Sequence, residues 1–334
     1  MMKDNKEILV CCEICDDVLT IACRELLTIG RTLNSGPNQS LSTLLIGKNI
    51  KSAPEEAISF GADKVYFIEA PYFADVSPDV YVSLITRACQ QIEPSVLILA
   101  HNDMGRDVAP RLAARLNSAV IMDCTGLATT NQANKHLLQT KLVYGGNAIA
   151  VWAGELNQLQ IVTVRPRSAI AAQPDASRHG EIIQLNITVD YSAFKCHLVQ
   201  TVKEETKGLK LEDAKAIVTG GGGIGNADGF ELLEKLAQVL GGAVGVTRVP
   251  CDEGWMPLSL EIGQTGRIVS PKLYVAIGVS GAPQHMTGCL GSNIIVSINR
   301  DPDARIFKES DFGIVGDYRQ VLPPLIEKLK SLYI

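Results

Sequence analysis

The residues best placed to do chemistry lie in the last third of the chain. Thr219-Gly220-Gly221-Gly222-Gly223-Ile224-Gly225 follows an apolar run and precedes a helical pattern. Gly220, Gly222 and Gly225 satisfy GxGxxG, the spacing that lets backbone N–H groups approach a phosphate at a helix start. Five glycines in these six residues exceed what a tight turn needs, given the entropy each one loses on folding. NAD-type units also carry an acid at the end of the second strand, for the ribose hydroxyls. Here that strand ends in Thr247-Arg248. An NADP-type oxidoreductase therefore stays open, as does a turn without a ligand.

More polar groups follow further apolar runs. Ile262-Gly263-Gln264-Thr265-Gly266 comes before the run Leu273–Ile277, and Ser280-Gly281-Ala282-Pro283-Gln284-His285 comes after it. Asn299 follows Ile294–Ile298, and Asp317 with Tyr318 opens the last helical pattern. Open α/β sheets bind ligands beyond the carboxyl ends of their strands. Ser280 and Gly281 can offer N–H groups to an anion, with His285 about one turn further on. Gln264 and Thr265 offer side-chain donors. Asn299 and Asp317 suit ribose hydroxyls or an adenine edge. The set fits a large, flat, phosphate-bearing dinucleotide. The five histidines are scattered and form no catalytic dyad, so no catalytic residue is assigned. No metal site is assigned either. Cys12-Glu13-Ile14-Cys15 has CxxC spacing but no second pair, and the nine cysteines read as reduced, mostly buried thiols.

The elements that must position these groups can be read from alternation. Ile8–Cys12, Ser42–Ile46, Lys64–Ile68, Ser95–Ala100 and Ala119–Asp123 read as strands. Helices are expected after Asp16 or Asp17, from Pro54 to Gly61, from Ser77-Pro78 to Ile92, and over Val108–Leu116 with Pro110 near its start. Strands separated by helices imply right-handed crossovers and a parallel sheet. Leu137–Tyr144, Ala148–Ala153 and Leu159–Thr163 read as antiparallel additions to that sheet. The fold class is α/β with two doubly wound domains: residues 1–202, a Lys/Glu-rich linker at 203–215, and a Rossmann-like domain at 216–334.

The 334 residues carry a net charge of -5, with 46% hydrophobic and 5% aromatic residues. That balance opposes a nucleic-acid partner. No uncharged apolar stretch is long enough to span a bilayer, and the first residues lack a signal-peptide core. No membrane insertion and a cytoplasmic location are expected.

The second domain resembles the FAD domain of the electron-transfer flavoprotein alpha subunit. The stretches "GQTG", "LYVAIGVSGAPQH", "INRDPDARIF" and "DFGIVGD" carry the likeness from about residue 216 to 330. "GRDVAPRLAARL" and "TVRP" extend it, more weakly, into the first domain. The resemblance implies one FAD, held by Thr247, Arg248, Ile262, Gly263, Gln264, Thr265, Ser280, Gly281, Ala282, Pro283, Gln284, His285, Asn299, Asp317 and Tyr318. It puts Arg248 and His285 near the flavin ring and Thr265 near N5. There a guanidinium and a His N–H would favour negative charge at N1 and the C2 carbonyl. Gly222 stands where the family often has an arginine. The resemblance further implies a beta-subunit partner in a heterodimer. It implies an electron carrier without substrate chemistry of its own, fed by flavin-dependent dehydrogenases such as acyl-CoA dehydrogenases. An electron-bifurcating member using NADH and ferredoxin remains the alternative within the family.

Overall fold

The computed structural model describes residues 6–15, 17–33, 39–69, 77–130, 136–144, 146, 148–155, 158–190, 192, 194–196, 199 and 209–332. The chain divides into two compact units: Met1–Val143 with Ala148–Val202, and Lys203–Ile334 with Tyr144–Asn147. Residues 203–208 of the expected linker lie outside the described residues.

The first unit runs β1 (Lys6–Cys12), β2 (Ile14–Cys15), β3 (Val18–Leu19), α1 (Ile21–Leu33), β4 (Gln39–Gly47), α2 (Ala53–Ser59), β5 (Lys64–Glu69) and α3 (Pro78–Ile92). It continues with β6 (Val96–Ala100), α4 (Asp103–Leu116), β7 (Ala119–Cys124), β8 (Gly126–Thr129), β9 (His136–Val143), β10 (Ala148–Glu155), β11 (Gln160–Val164) and β12 (Glu181–Gln184). Seven strands form one sheet in the order β12-β5-β4-β1-β6-β11-β7. Every pairing in it is parallel. Burial on both faces explains the continuous apolar runs. In β1, Ile8 and Val10 enter the core on one face, while Leu9 and Cys11 enter the core on the other.

Four expectations are corrected here. β11 is not an antiparallel addition: it pairs in parallel with both β6 and β7. β9 and β10 do pair antiparallel, but in a separate three-stranded sheet with β8. α4 begins five residues before the expected Val108, because the Asn102 side chain caps it by accepting from the Gly105 N–H at 2.9 Å. Pro110 therefore sits inside the helix. Asp17 does not cap α1. It turns the β2–β3 hairpin at φ 60°, and its carboxylate takes the N–H groups of Lys51, Ser52 and Ala53 at the start of α2.

The second unit runs β13 (Ala216–Gly220), α5 (Phe230–Val239), β14 (Ala243–Val246), α6 (Arg248–Asp252), β15 (Leu273–Ile277), α7 (Pro283–Met286), β16 (Ile295–Asn299), β17 (Phe312–Val315) and α8 (Tyr318–Lys330). Its parallel sheet has the order β14-β13-β15-β16-β17. Counted within the unit, that is the 2-1-3-4-5 winding, whose switch point lies between the first and third strands. One core faces α5 and α8 through Val218, Val275 and Ile277. The other holds Ile217, Tyr274, Ala276 and Ile295. Among the described residues, no helix is long and apolar enough to cross a membrane.

Candidate functional site

The site is the carboxyl edge of the second sheet. The loops after β13 and β15 meet at the switch point without side chains between them. The Gly221 N–H donates to Ile277 O at 2.9 Å, and the Gly223 N–H donates to Gly278 O at 3.0 Å. A Cβ at Gly221 would collide with the Gly278 carbonyl, and Gly278 itself holds φ +61°. Glycine is required at both places by contact and by conformation. Gly225 closes the turn at φ +88° with open space around it. Next along, Ser280, Gly281 and Ala282 keep their N–H groups free of protein acceptors among the described residues. The Ser280 carbonyl and the tight packing of Gly281 on Ile306 fix this loop.

Gly223, Gly278, Asn299, Asp317 and Tyr318 line one cleft together with Arg300 and Arg319. The glycine loop, Asn299, Asp317 and Tyr318 are thus brought together as expected from their strand-end positions. Their side chains are differently employed. The Asn299 amide donates to Val279 O at 2.9 Å, and its oxygen accepts from the Asp301 N–H at 3.0 Å, so it holds the β15 loop. Asp317 caps α8 by accepting from the Arg319 N–H at 2.9 Å. Tyr318 is buried, and its hydroxyl donates to Ile224 O at 3.1 Å. That bond ties α8 to the glycine loop and leaves only the hydroxyl oxygen as a further acceptor.

A second group gathers beyond β14. Thr247 starts α6, held by its N–H on Gly220 O. Arg248 is exposed and bonds Asp252 at 2.7 Å, one helical turn on. The strand-like segment at 261–262 runs beside β14, where the Ile262 N–H donates to Val246 O. The Ile262 side chain is in the core, so only its backbone faces outward. Gly263, at φ +153°, turns the chain into Gln264-Thr265. The Gln264 N–H donates to Gln284 O, which joins this turn to the start of α7. Thr265 does not offer a free hydroxyl donor. Its O–H donates to Glu261 at 2.7 Å, so it meets a ligand as an acceptor.

His285 departs most from expectation. It is 6% exposed, with Nδ1 2.8 Å from the Ile262 carbonyl and Nε2 2.9 Å from the Tyr274 hydroxyl. A carbonyl can only accept, so the hydrogen sits on Nδ1 and Nε2 accepts from Tyr274. Burial pushes its pKa below the usual histidine value. The ring is neutral, and its only N–H is engaged within the protein.

Three residues were missed in the sequence. Arg300 and Arg319 line the cleft, and Glu261 is buried beside the end of β14. Arg300 and Arg319 each directly follow a residue named for the site, which was the available signal. For Glu261 the signal was an acid embedded in the apolar stretch before Gly263.

The arrangement fits FAD. Free loop amides and two cleft arginines suit a diphosphate, and the glycine edge leaves room for it. Residues 210–290 match the family model of the electron transfer flavoprotein FAD-binding domain, and residues 8–190 match that of the electron transfer flavoprotein domain. The chain is 39% identical to the electron transfer flavoprotein subunit alpha of Thermoanaerobacterium thermosaccharolyticum, over 99% of this chain and 100% of that protein. It is 38% identical to the subunit of the same name from Bacillus subtilis, over 99% of each. It is 30% identical to the acryloyl-CoA reductase electron transfer subunit beta of Anaerotignum propionicum, over 98% of this chain and 96% of that protein.

Proposed function

Because this chain belongs to the electron transfer flavoprotein family and matches its alpha subunits end to end, we propose that it is the FAD-carrying half of a heterodimeric electron carrier. It pairs with a beta subunit, takes electrons from flavin-dependent dehydrogenases such as acyl-CoA dehydrogenases, and passes them to a further acceptor. The name of the Anaerotignum relative, which couples electron transfer to an acyl-CoA reductase, supports a donor or acceptor of the acyl-CoA class.

The observation that carries the reading is the side-chain-free switch point, with the unpaired amides of Ser280, Gly281 and Ala282 beside it. These amides, with Arg300 and Arg319, would hold the diphosphate. The two cleft arginines stand in for the cation that Gly222 does not provide. Asn299 and Asp317 border the adenosine half. Thr247, Arg248, Ile262, Gly263, Gln264 and Thr265 would hold the ring, together with Pro283 and Gln284 at the start of α7. His285 supports the Ile262 carbonyl from behind. FAD, when bound, supplies a ring that accepts and releases electrons one or two at a time. The Arg248 guanidinium would favour negative charge on that ring, and the Thr265 oxygen would accept from a ring N–H.

Co-expression with the beta subunit and desalting in the presence of FAD tests this. A yellow heterodimer that bleaches with dithionite is expected, and a folded, colourless heterodimer after FAD addition overturns the reading. Flavin counting also divides the family: one FAD per heterodimer supports the simple carrier, and two support the bifurcating alternative.

A further inference from the structure

Glu261 is 3% exposed, and it sits where the turn 261–267 meets the end of β14. Its main chain is bonded, with its N–H on Leu258 O and its carbonyl taking the Arg267 N–H at 2.7 Å. Its carboxylate is held more thinly. One oxygen accepts the Thr265 hydroxyl at 2.7 Å, and the other lies 3.8 Å from the Arg248 guanidinium, which is itself half exposed and bonded to Asp252. A carboxylate can accept about four hydrogen bonds, and burying one with fewer costs several kcal/mol unless a charge partner compensates. Among the described residues of the second unit it is the one buried carboxylate, and the two side chains it meets are those read above as flanking the flavin ring.

We propose that Glu261 is a positioning residue for the flavin. It orients the Thr265 hydroxyl, anchors the Arg248 side chain, and sets a fixed negative charge against the positive one of Arg248. The inference rests on the FAD reading. The two charges then act on the ring in opposite directions. Arg248 stabilises electron uptake and Glu261 opposes it, so the pair holds the potential between the values either charge alone would give.

The test is spectroelectrochemical titration of the FAD-loaded heterodimer, with FAD affinity measured beside it. Glu261→Gln keeps the shape and an acceptor for Thr265 while removing the charge. It is expected to shift the one-electron equilibrium about tenfold towards reduction, about 59 mV positive, with FAD affinity within about threefold of the parent. Arg248→Ala is expected to shift the potential negative. Glu261→Asp is expected to return it towards the parent value. A merely structural Glu261 would alter melting and affinity without opposed shifts. If Glu261→Gln proves unstable, Thr265→Val against Thr265→Ser reports the same anchor, since only Ser preserves the bond to Glu261 and the parent potential. Bound FAD with an unchanged potential in Glu261→Gln sinks this inference alone. A parent protein that binds no FAD sinks the FAD reading, and this one with it.

Discussion

Both units wind a parallel sheet to a switch point, yet they treat that crevice in opposite ways. In the first unit it lies between β1 and β6 and is closed by side chains. The Asn102 amide donates to Glu13 at 2.7 Å, and burial raises the Glu13 carboxyl above its usual range. Beside them, Arg165 grips Asp123 through two bonds of 2.9 and 2.7 Å. His101 bonds Thr163 at 2.8 Å. In the second unit the same topological position carries glycines, free amides and a cleft. Topology therefore supplies a crevice in both, and the side chains at the strand ends decide which becomes a site.

The largest expected effect tests the closed edge. Arg165→Ala leaves Asp123, whose side chain is 17% exposed, without its partner. The loss should be about 3 kcal/mol of first-unit stability, the low end for breaking a buried pair. The chain has two tryptophans, Trp152 in the first unit and Trp255 in the second. Denaturant unfolding of Trp255→Phe, followed by Trp152 fluorescence, measures it. A change below about 1 kcal/mol would show that the pair merely decorates the edge.

Next comes the open edge. Gly221→Val puts a side chain into the Gly278 carbonyl and forces the two loops apart. FAD affinity should fall a hundredfold or more, about 2.7 kcal/mol, by equilibrium dialysis. First-unit melting should stay unchanged. Retained affinity would mean the phosphates lie elsewhere.

Protonation separates the edges further. Burial lowers the His101 pKa from 6.5 to about 4. Because the folded state favours the neutral ring, its contribution is complete above about pH 6.5 and is lost as pH falls towards 4. Asp123 is held below its usual value, mainly by the Arg165 bonds against desolvation, and its contribution disappears only at lower pH. The shift caps the His101 effect at roughly 3 kcal/mol, and some residual solvent contact reduces the expectation to about 2 kcal/mol. His101→Gln should therefore flatten first-unit stability between pH 6.5 and 4, read through Trp152. An undiminished acid slope would assign it to other groups.

Most strands were legible because a strand buried on both faces is an unbroken apolar run. Leu273–Ile277 was bounded correctly for that reason. The β2–β3 hairpin was not, since two-residue strands leave no periodic trace. The placement of β11 was hidden differently. Its five apolar-flanked residues fit either an edge or a centre, and only pairing with β6 and β7 decides. At the site, residue type and strand-end position located the groups. Some commitments were invisible because the partners are distant: Tyr318 answers Ile224, 94 positions away, and His285 answers Ile262, 23 positions back.

The smallest prediction asks whether a cap can also be a ligand contact. Asp317 accepts the Arg319 N–H at the start of α8 and lines the cleft as well. Asp317→Ala should lower second-unit stability by about 1 kcal/mol through the lost cap, measured by Trp255 fluorescence in Trp152→Phe. Asparagine caps about as well as aspartate, so Asp317→Asn should restore that stability. FAD affinity then tells the roles apart. If Asp317→Asn binds FAD as tightly as the parent, the carboxylate charge does nothing for the ligand, and the residue serves the helix. If affinity falls fivefold or more while stability is intact, the strand-end acid reads the ligand directly. The open edge would then differ from the closed one in possessing a charged reader as well as room.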